Sequence, residues 1–217
     1  AIQPLMNGLD TPKVQRFPLA VNCVRYAGEW VCAVVAESRA IAEDALEKIL
    51  IDATPQPFVL DAEEALLPSS PPVHPEHGSN VLLDRQFVWG EVDDDFAKAK
   101  HSLSFSVTWG RNSTVPIETF GVVAEWNGWD QILDVWASVQ MPKYSDQIAR
   151  CLNLPGNAVR VHYDVDVGGS YGVKRGIKHA TLIGYIARKL GRPIRFIEDR
   201  LENMRAGDAH GPERKFN

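Results

Sequence analysis

Five residues, Gly168-Gly169-Ser170-Tyr171-Gly172, close an alternating, strand-like run at 159–167 and precede a basic, helix-prone segment. A backbone so poor in side chains has two uses. Glycine supplies positive φ at a strand-to-helix turn. Glycine also lets a ligand press against the main chain, where amides donate to anionic or polar groups. The residue types alone leave both open.

Other chemistries find less support. His74 and His77 lie close together in a proline-rich stretch, but no cysteine or second histidine pair accompanies them, so no metal ligands are assigned. Ser170 has Gly169 before it and Tyr171 after it, which is not the G-x-S-x-G of a nucleophile elbow. The glycines lack the G-x-G-x-x-G spacing of a dinucleotide fold, and no Gly-Lys-Ser/Thr occurs for a Walker loop. Basic residues across 174–195 alternate with apolar ones, as on a solvated helix face, and the net charge of −5 gives no nucleic-acid signal.

The elements that must position the loop are read from periodicity. Residues 19–36 read as two strands around Ala27-Gly28, with 31–36 apolar enough to be buried on both faces. Ser38 is an N-cap for a helix over 39–48, and 50–60 reads as a short strand. Together these form a β-β-α-β layer. Residues 66–80 hold four prolines and three serines and predict an irregular connection. A short helix with an acidic first turn follows at 90–101, then a strand at 102–109. Alternation on both sides of Asn127-Gly128 predicts a hairpin with a two-residue type I′ turn. A helix ending near Leu154-Pro155-Gly156 leads to the strand before the glycine loop. A second helix over 177–190 stops at Gly191 and Pro193, a strand follows at 194–199, and 200–207 is a short helix or turn. Two strands joined by one crossing helix place Gln140 and the loop side by side at one sheet edge.

The 217 residues are 45% apolar and 24% charged, ordinary for a globular protein, and no apolar run is long enough to span a bilayer. Cys23, Cys32 and Cys151 show no C-x-x-C spacing, which favours a reducing, cytoplasmic setting.

The run "VPIETFGVVAEW" and then "DVWASVQMPKYSDQIARCLNLPGNAVRVHYDVDVGGSYGVK" resembles the molybdenum-cofactor-binding large subunit of the xanthine dehydrogenase and aldehyde oxidase family, which includes carbon monoxide and heteroaromatic dehydrogenases. The matching segments are 116–124, Val139-Gln140-Met141-Pro142, 152–155, Val159-Arg160-Val161 and 168–174; residues 24–52 and 191–204 add to them. The resemblance implies an α+β fold: the C-terminal part of an α/β hammerhead domain over 1–85, then the N-terminal part of the first molybdenum-cofactor domain over 86–217. It implies an oxidoreductase that oxidises an aldehyde, heteroaromatic or similar small substrate with oxygen from water. The implied cofactor is a molybdenum–pterin in its cytosine dinucleotide form, with FAD and [2Fe-2S] clusters on partner subunits or domains.

By the same resemblance Gln140 and Tyr171 are the catalytic candidates. Gln140 matches a glutamine whose amide faces a molybdenum ligand, and Gly168, Gly169, Ser170, Tyr171 and Gly172 match the backbone against the metal and pterin. Tyr171 stands where phenylalanine is usual, and with Arg175 it is a candidate for substrate contact. Thr119-Phe120 replaces the family's Pro-Arg, and Val139 its Thr. Both chain ends look cut, and the family's glutamate base lies well beyond residue 217. The chain alone is therefore expected to be inactive, exposing apolar surface that remaining large-subunit segments, an FAD subunit and an iron–sulfur subunit would meet. The alternative is a non-catalytic split subunit or assembly module that contributes part of the pocket or an interface.

Overall fold

The computed structural model describes residues 14, 16–108, 114–163, 166–206 and 214–215. They fall into two units, one drawn from 16–57 and 114–206, the other from 14, 58–108 and 214–215.

The first unit opens with a turn, not with strands. Gly28 takes positive φ (92°), Arg25 N donates to Glu29 Oε2 at 2.6 Å, and Ala20 N donates to Trp30 O at 2.6 Å. The two expected strands of 19–36 are absent, as is the one at 50–60, so the β-β-α-β layer does not form. Val31 and Val35 are exposed where 31–36 was expected to be buried. The reason is pairing: a strand is stabilised by a hydrogen-bonded neighbour, and among the described residues no strand pairs with these segments. The helix between them, α1 (Arg39–Leu46), forms as expected but ends two residues early. Ser38 Oγ accepts Ile41 N at 3.3 Å, and no residue of α1 is buried. The expected exposure of apolar surface is thus met at Val31, Val35, Ile41 and Leu46.

The second unit carries α2 (Val92–Lys98), whose Asp93, Asp94 and Asp95 occupy the positive end of the helix dipole. The strand expected over 102–109 shrinks to β1 (Val107–Thr108). Its partner belongs to the same unit and is the last strand of the chain.

The rest of the first unit is a four-stranded sheet. Its hairpin is β2 (Gly121–Asn127) with β3 (Ile132–Ala137), in the register Asn127↔Ile132. The turn therefore has four residues, 128–131, not two. Asn127 Oδ1 accepts the amides of Trp129 (3.0 Å) and Asp130 (3.2 Å), and Gln131 takes the left-handed conformation (φ 56°). The asparagine closes the loop with its side chain instead of through positive φ. Helix α3 (Tyr144–Leu152) ends on Asn153 at φ 54°, with Leu154 N returning to Ala149 O at 2.8 Å. It leads to β4 (Val159–His162), shorter than the strand expected to reach 167. Helix α4 (Lys178–Leu190) ends on Gly191 at φ 61°, as its stop signals predict, and β5 (Ile194–Ile197) and α5 (Arg200–Ala206) follow. Within the second unit, β6 (Arg214–Lys215), the last described strand, pairs antiparallel with β1.

The sheet order is β4-β3-β2-β5, with β3 and β4 parallel and the other pairs antiparallel. Alternation sends Val122, Ala124, Leu133, Val135, Val159 and Ile194 into one core with Ile148 and Ala149 of α3 and Ala180, Ile183 and Ala187 of α4. Gly184 lets α4 approach the sheet: a Cβ there would lie 2.8 Å from Leu133 Cδ2.

Candidate functional site

Two strands aimed the same way set the site. Because β3 and β4 are parallel and α3 crosses between them, both chains leave the sheet at one edge. Gln140 lies three residues past β3, and the glycine loop begins six residues past β4. The structure brings them into contact: the Ser170 hydroxyl donates to Gln140 Oε1, and Gln140 N donates to Lys174 O at 3.2 Å. Gln140 Nε2 makes no hydrogen bond among the described residues and remains an exposed donor.

The loop is a chain of tight turns. Tyr171 (φ 48°) and Gly172 (φ 101°) are both left-handed, and Val173 N donates to Ser170 O at 3.0 Å. A glycine at 172 is required by its φ, and a Cβ built there meets nothing within 4 Å. Gly168 and Gly169 are small for different reasons. A Cβ on Gly168 would stand 2.8 Å from both Cβ and Oε2 of Glu118, and one on Gly169 would stand 2.7 Å from the Tyr171 ring. The amides of Gly169, Ser170, Tyr171 and Gly172 donate to no acceptor among the described residues. Four unbonded amides, an open face at Gly172 and the free Gln140 amide form a donor set that fits a polar, anionic group such as a pterin cofactor. Tyr171 is 65% exposed, and Arg175 is exposed beyond it.

A second layer, not foreseen from the sequence, braces this loop. Glu118 Oε1 accepts from Lys174 Nζ at 2.6 Å, and its Oε2 accepts from Gly168 N at 2.6 Å. The Ser138 hydroxyl also favours the charged form of that carboxylate. Lys174 is fully buried (0% exposed) while the Glu118 side chain is 38% exposed. Burial raises the carboxyl's pKa, but the hydrogen bonds from Lys174 and Gly168, the nearby Ser138 hydroxyl and the ammonium's charge outweigh it and hold Glu118 below the usual carboxylate range. Tyr144 Oη donates to Gly176 O at 3.0 Å, and its burial pushes the phenol pKa far up, so it stays a neutral donor. Glu118 and Lys174 lie inside motifs quoted above, but 56 residues separate them and no spacing rule links them.

The segment bearing Glu118 is itself clamped. Arg200 Nη2 donates to Pro116 O (2.6 Å) and Ile117 O (2.8 Å). Phe120 N donates to Glu198 Oε2 at 3.2 Å, and Glu198 N donates to Phe120 O at 2.9 Å. Asn203 Nδ2 adds a second bond to that carboxylate at 2.8 Å. Burial raises the pKa of Glu198, but His179 at 3.6 Å, the Asn203 bond and the Phe120 amide outweigh it and give a net depression.

Residues 73–216 match the molybdopterin cofactor-binding domain, and the chain belongs to that family. Its relatives include a nicotine 6-hydroxylase large subunit and a carbon monoxide dehydrogenase large chain. It is 37% identical over 187 residues to the 6-hydroxypseudooxynicotine dehydrogenase complex subunit gamma of Paenarthrobacter nicotinovorans, covering 86% of this chain and 23% of that protein. It is 32% identical over 191 residues to human (Homo sapiens) aldehyde oxidase, covering 86% of this chain and 14% of that one. Among solved structures, quinoline 2-oxidoreductase from Pseudomonas putida 86 superposes with a TM-score of 0.79 at 34% identity, over 90% of this chain and 25% of that one. The chain thus spans about a quarter or less of the length of these proteins. No described helix is long and apolar enough to cross a membrane.

Proposed function

We propose that this chain is the part of a molybdenum hydroxylase large subunit that cradles one side of the molybdenum–pterin cofactor. The observation that carries the reading is the donor set: the free Gln140 amide beside four unbonded loop amides at one sheet edge. The bound cofactor would supply two-electron oxidation of an aldehyde, heteroaromatic or similar small substrate with oxygen from water.

This chain's residues have narrower tasks. The amides of residues 169–172 hold and orient polar groups of the cofactor. Gln140 Nε2 donates one hydrogen bond near the metal, steadied by the Ser170 hydroxyl on its Oε1. The Tyr171 ring, held over Gly169, walls the substrate side and excludes water there, and Arg175 attracts an anionic or carbonyl-bearing substrate. A base for proton abstraction, worth roughly 10²–10⁴-fold, would come from elsewhere in the assembly, so the chain alone is inactive. The cytosine dinucleotide form, the FAD and iron–sulfur partners and a cytoplasmic setting belong to this same reading. So does the division into a partial hammerhead domain and the start of a cofactor domain.

The test is Gln140→Ala in the full-length large subunit within its native assembly. We expect activity to fall roughly tenfold or more, as for the loss of one hydrogen bond made in the transition state. Molybdenum and pterin content should stay near that of the parent, because Gln140 is bound to Lys174 through its backbone. Parent assembly devoid of molybdenum and pterin, or full activity in the variant, refutes the reading.

A further inference from the structure

We propose that Glu118 is the positioning residue of the glycine loop, a latch that closes both ends of it onto the β3 exit. The proposal rests on the cofactor reading above only for what the loop holds; the latch is a property of this chain. One carboxylate gathers both ends of the loop: Gly168 N where it begins and Lys174 Nζ where it ends. Lys174 then reaches Gln140 itself, since its carbonyl accepts the Gln140 amide.

The chemistry suits a latch. Lys174 is fully buried, so its ammonium must have a charged acceptor, and Glu118 Oε1 lies 2.6 Å away. Charge-assisted hydrogen bonds are the short, strong kind. The carboxylate's other oxygen is thereby aimed at Gly168, and the absence of a Cβ there permits the approach. Pinning residues 168 and 174 leaves 169–172 bowed between fixed ends, with their amides turned away from internal partners. Arg200 and Glu198 hold the segment that carries Glu118, so the latch is mounted on the β5–α5 corner.

The test uses the full-length large subunit in its assembly, purified with and without cofactor, and compares the parent with Glu118→Gln and with Glu118→Gln/Lys174→Met. The first variant strands the buried ammonium. The second removes that charge and leaves the carbonyl of the introduced side-chain amide free to accept Gly168 N. Hydrogen exchange in the cofactor-free protein is read over peptides covering 166–176 and over the β2–β3 hairpin.

Glu118→Gln should speed exchange across 166–176 by about tenfold or more, in line with loss of a charge-assisted bond, with the hairpin unchanged. Pterin and molybdenum content should fall about threefold or more. The double variant should recover loop protection and most of the cofactor content, a rescue that a simple loss of stability would not give. Unchanged exchange in the loop, or faster exchange spread equally over the hairpin, overturns the latch. A parent assembly without pterin overturns the cofactor reading instead, and the exchange data then decide the latch by themselves.

Discussion

Placing a methyl group on Gly168 is the sharpest local perturbation of the site. The added Cβ of Gly168→Ala would stand 2.8 Å from Glu118 Cβ, against an ordinary carbon–carbon separation of about 3.5–4.0 Å. The arm of Glu118 must retreat by about 0.7 Å or more to restore that separation. The Gly168 N···Oε2 bond, 2.6 Å in the structure, then opens past the useful range of about 3.2 Å. Retreat is resisted, because Lys174 holds the same carboxylate. Loss of a hydrogen bond to a charged group costs about 1.5–3 kcal/mol, and overpacking about 1–3 kcal/mol. The two overlap, so we expect a loss of about 2–4 kcal/mol. With Glu118→Gly already present there is neither clash nor bond, and the same substitution should cost under about 0.5 kcal/mol. Running the cycle in a Lys174→Met background avoids stranding the buried ammonium. Urea unfolding of the four variants measures the coupling, expected to be about 2 kcal/mol. Equal costs of Gly168→Ala in the two backgrounds, within about 0.5 kcal/mol, would refute the contact between Gly168 and Glu118.

Stability should fall in acid. Glu118 and Glu198 both have folded pKa values below the ordinary 4.5, so their stabilisation is fully present above 4.5 and is lost as pH falls through the depressed values. Glu198→Gln should flatten the unfolding-versus-pH curve in that window, and an unaltered acid limb would count against the Phe120–Glu198–Asn203 network. Packing of α4 on the sheet gives a further check. Leu133→Ala should cost about 2–5 kcal/mol by itself, and less when Gly184→Ala fills part of the space left beside Leu133 Cδ2. Strict additivity in thermal unfolding would show that α4 and β3 do not meet there.

Signals that act within one turn or one hairpin were legible. Ser38 caps α1, Gly191 stops α4, and the alternation around Asn127 makes a hairpin. The parallel exits of β3 and β4, inferred from one crossing helix, also bring Gln140 to the glycine loop. What failed depends on partners outside the window. The apolar run 31–36 has strand propensity, but a strand's backbone is satisfied by a neighbour, and none of the described residues supplies one. The turn after Asn127 was misjudged because a side-chain oxygen took the role assigned to backbone conformation. The smallness of Gly168 was attributed to a ligand, whereas Glu118 occupies the space. Buried charge pairs such as Glu118–Lys174 leave no periodic trace, since either residue alone reads as surface.

The mounting of residues 116–120 on Glu198 and Arg200 has a consequence for biosynthesis. The glycine loop is complete by residue 174, yet the side chains that fix its brace are synthesised more than 20 residues later, and the strand that borders β2 must also wait for β5. A nascent chain ending between 175 and 197 would hold every residue of the loop without its shape. Contacts separated by some 80 residues close slowly, because the loop-closure entropy is met before they form. A growing polypeptide is therefore expected to lack the final shape of this loop until the β5–α5 corner has left the ribosome.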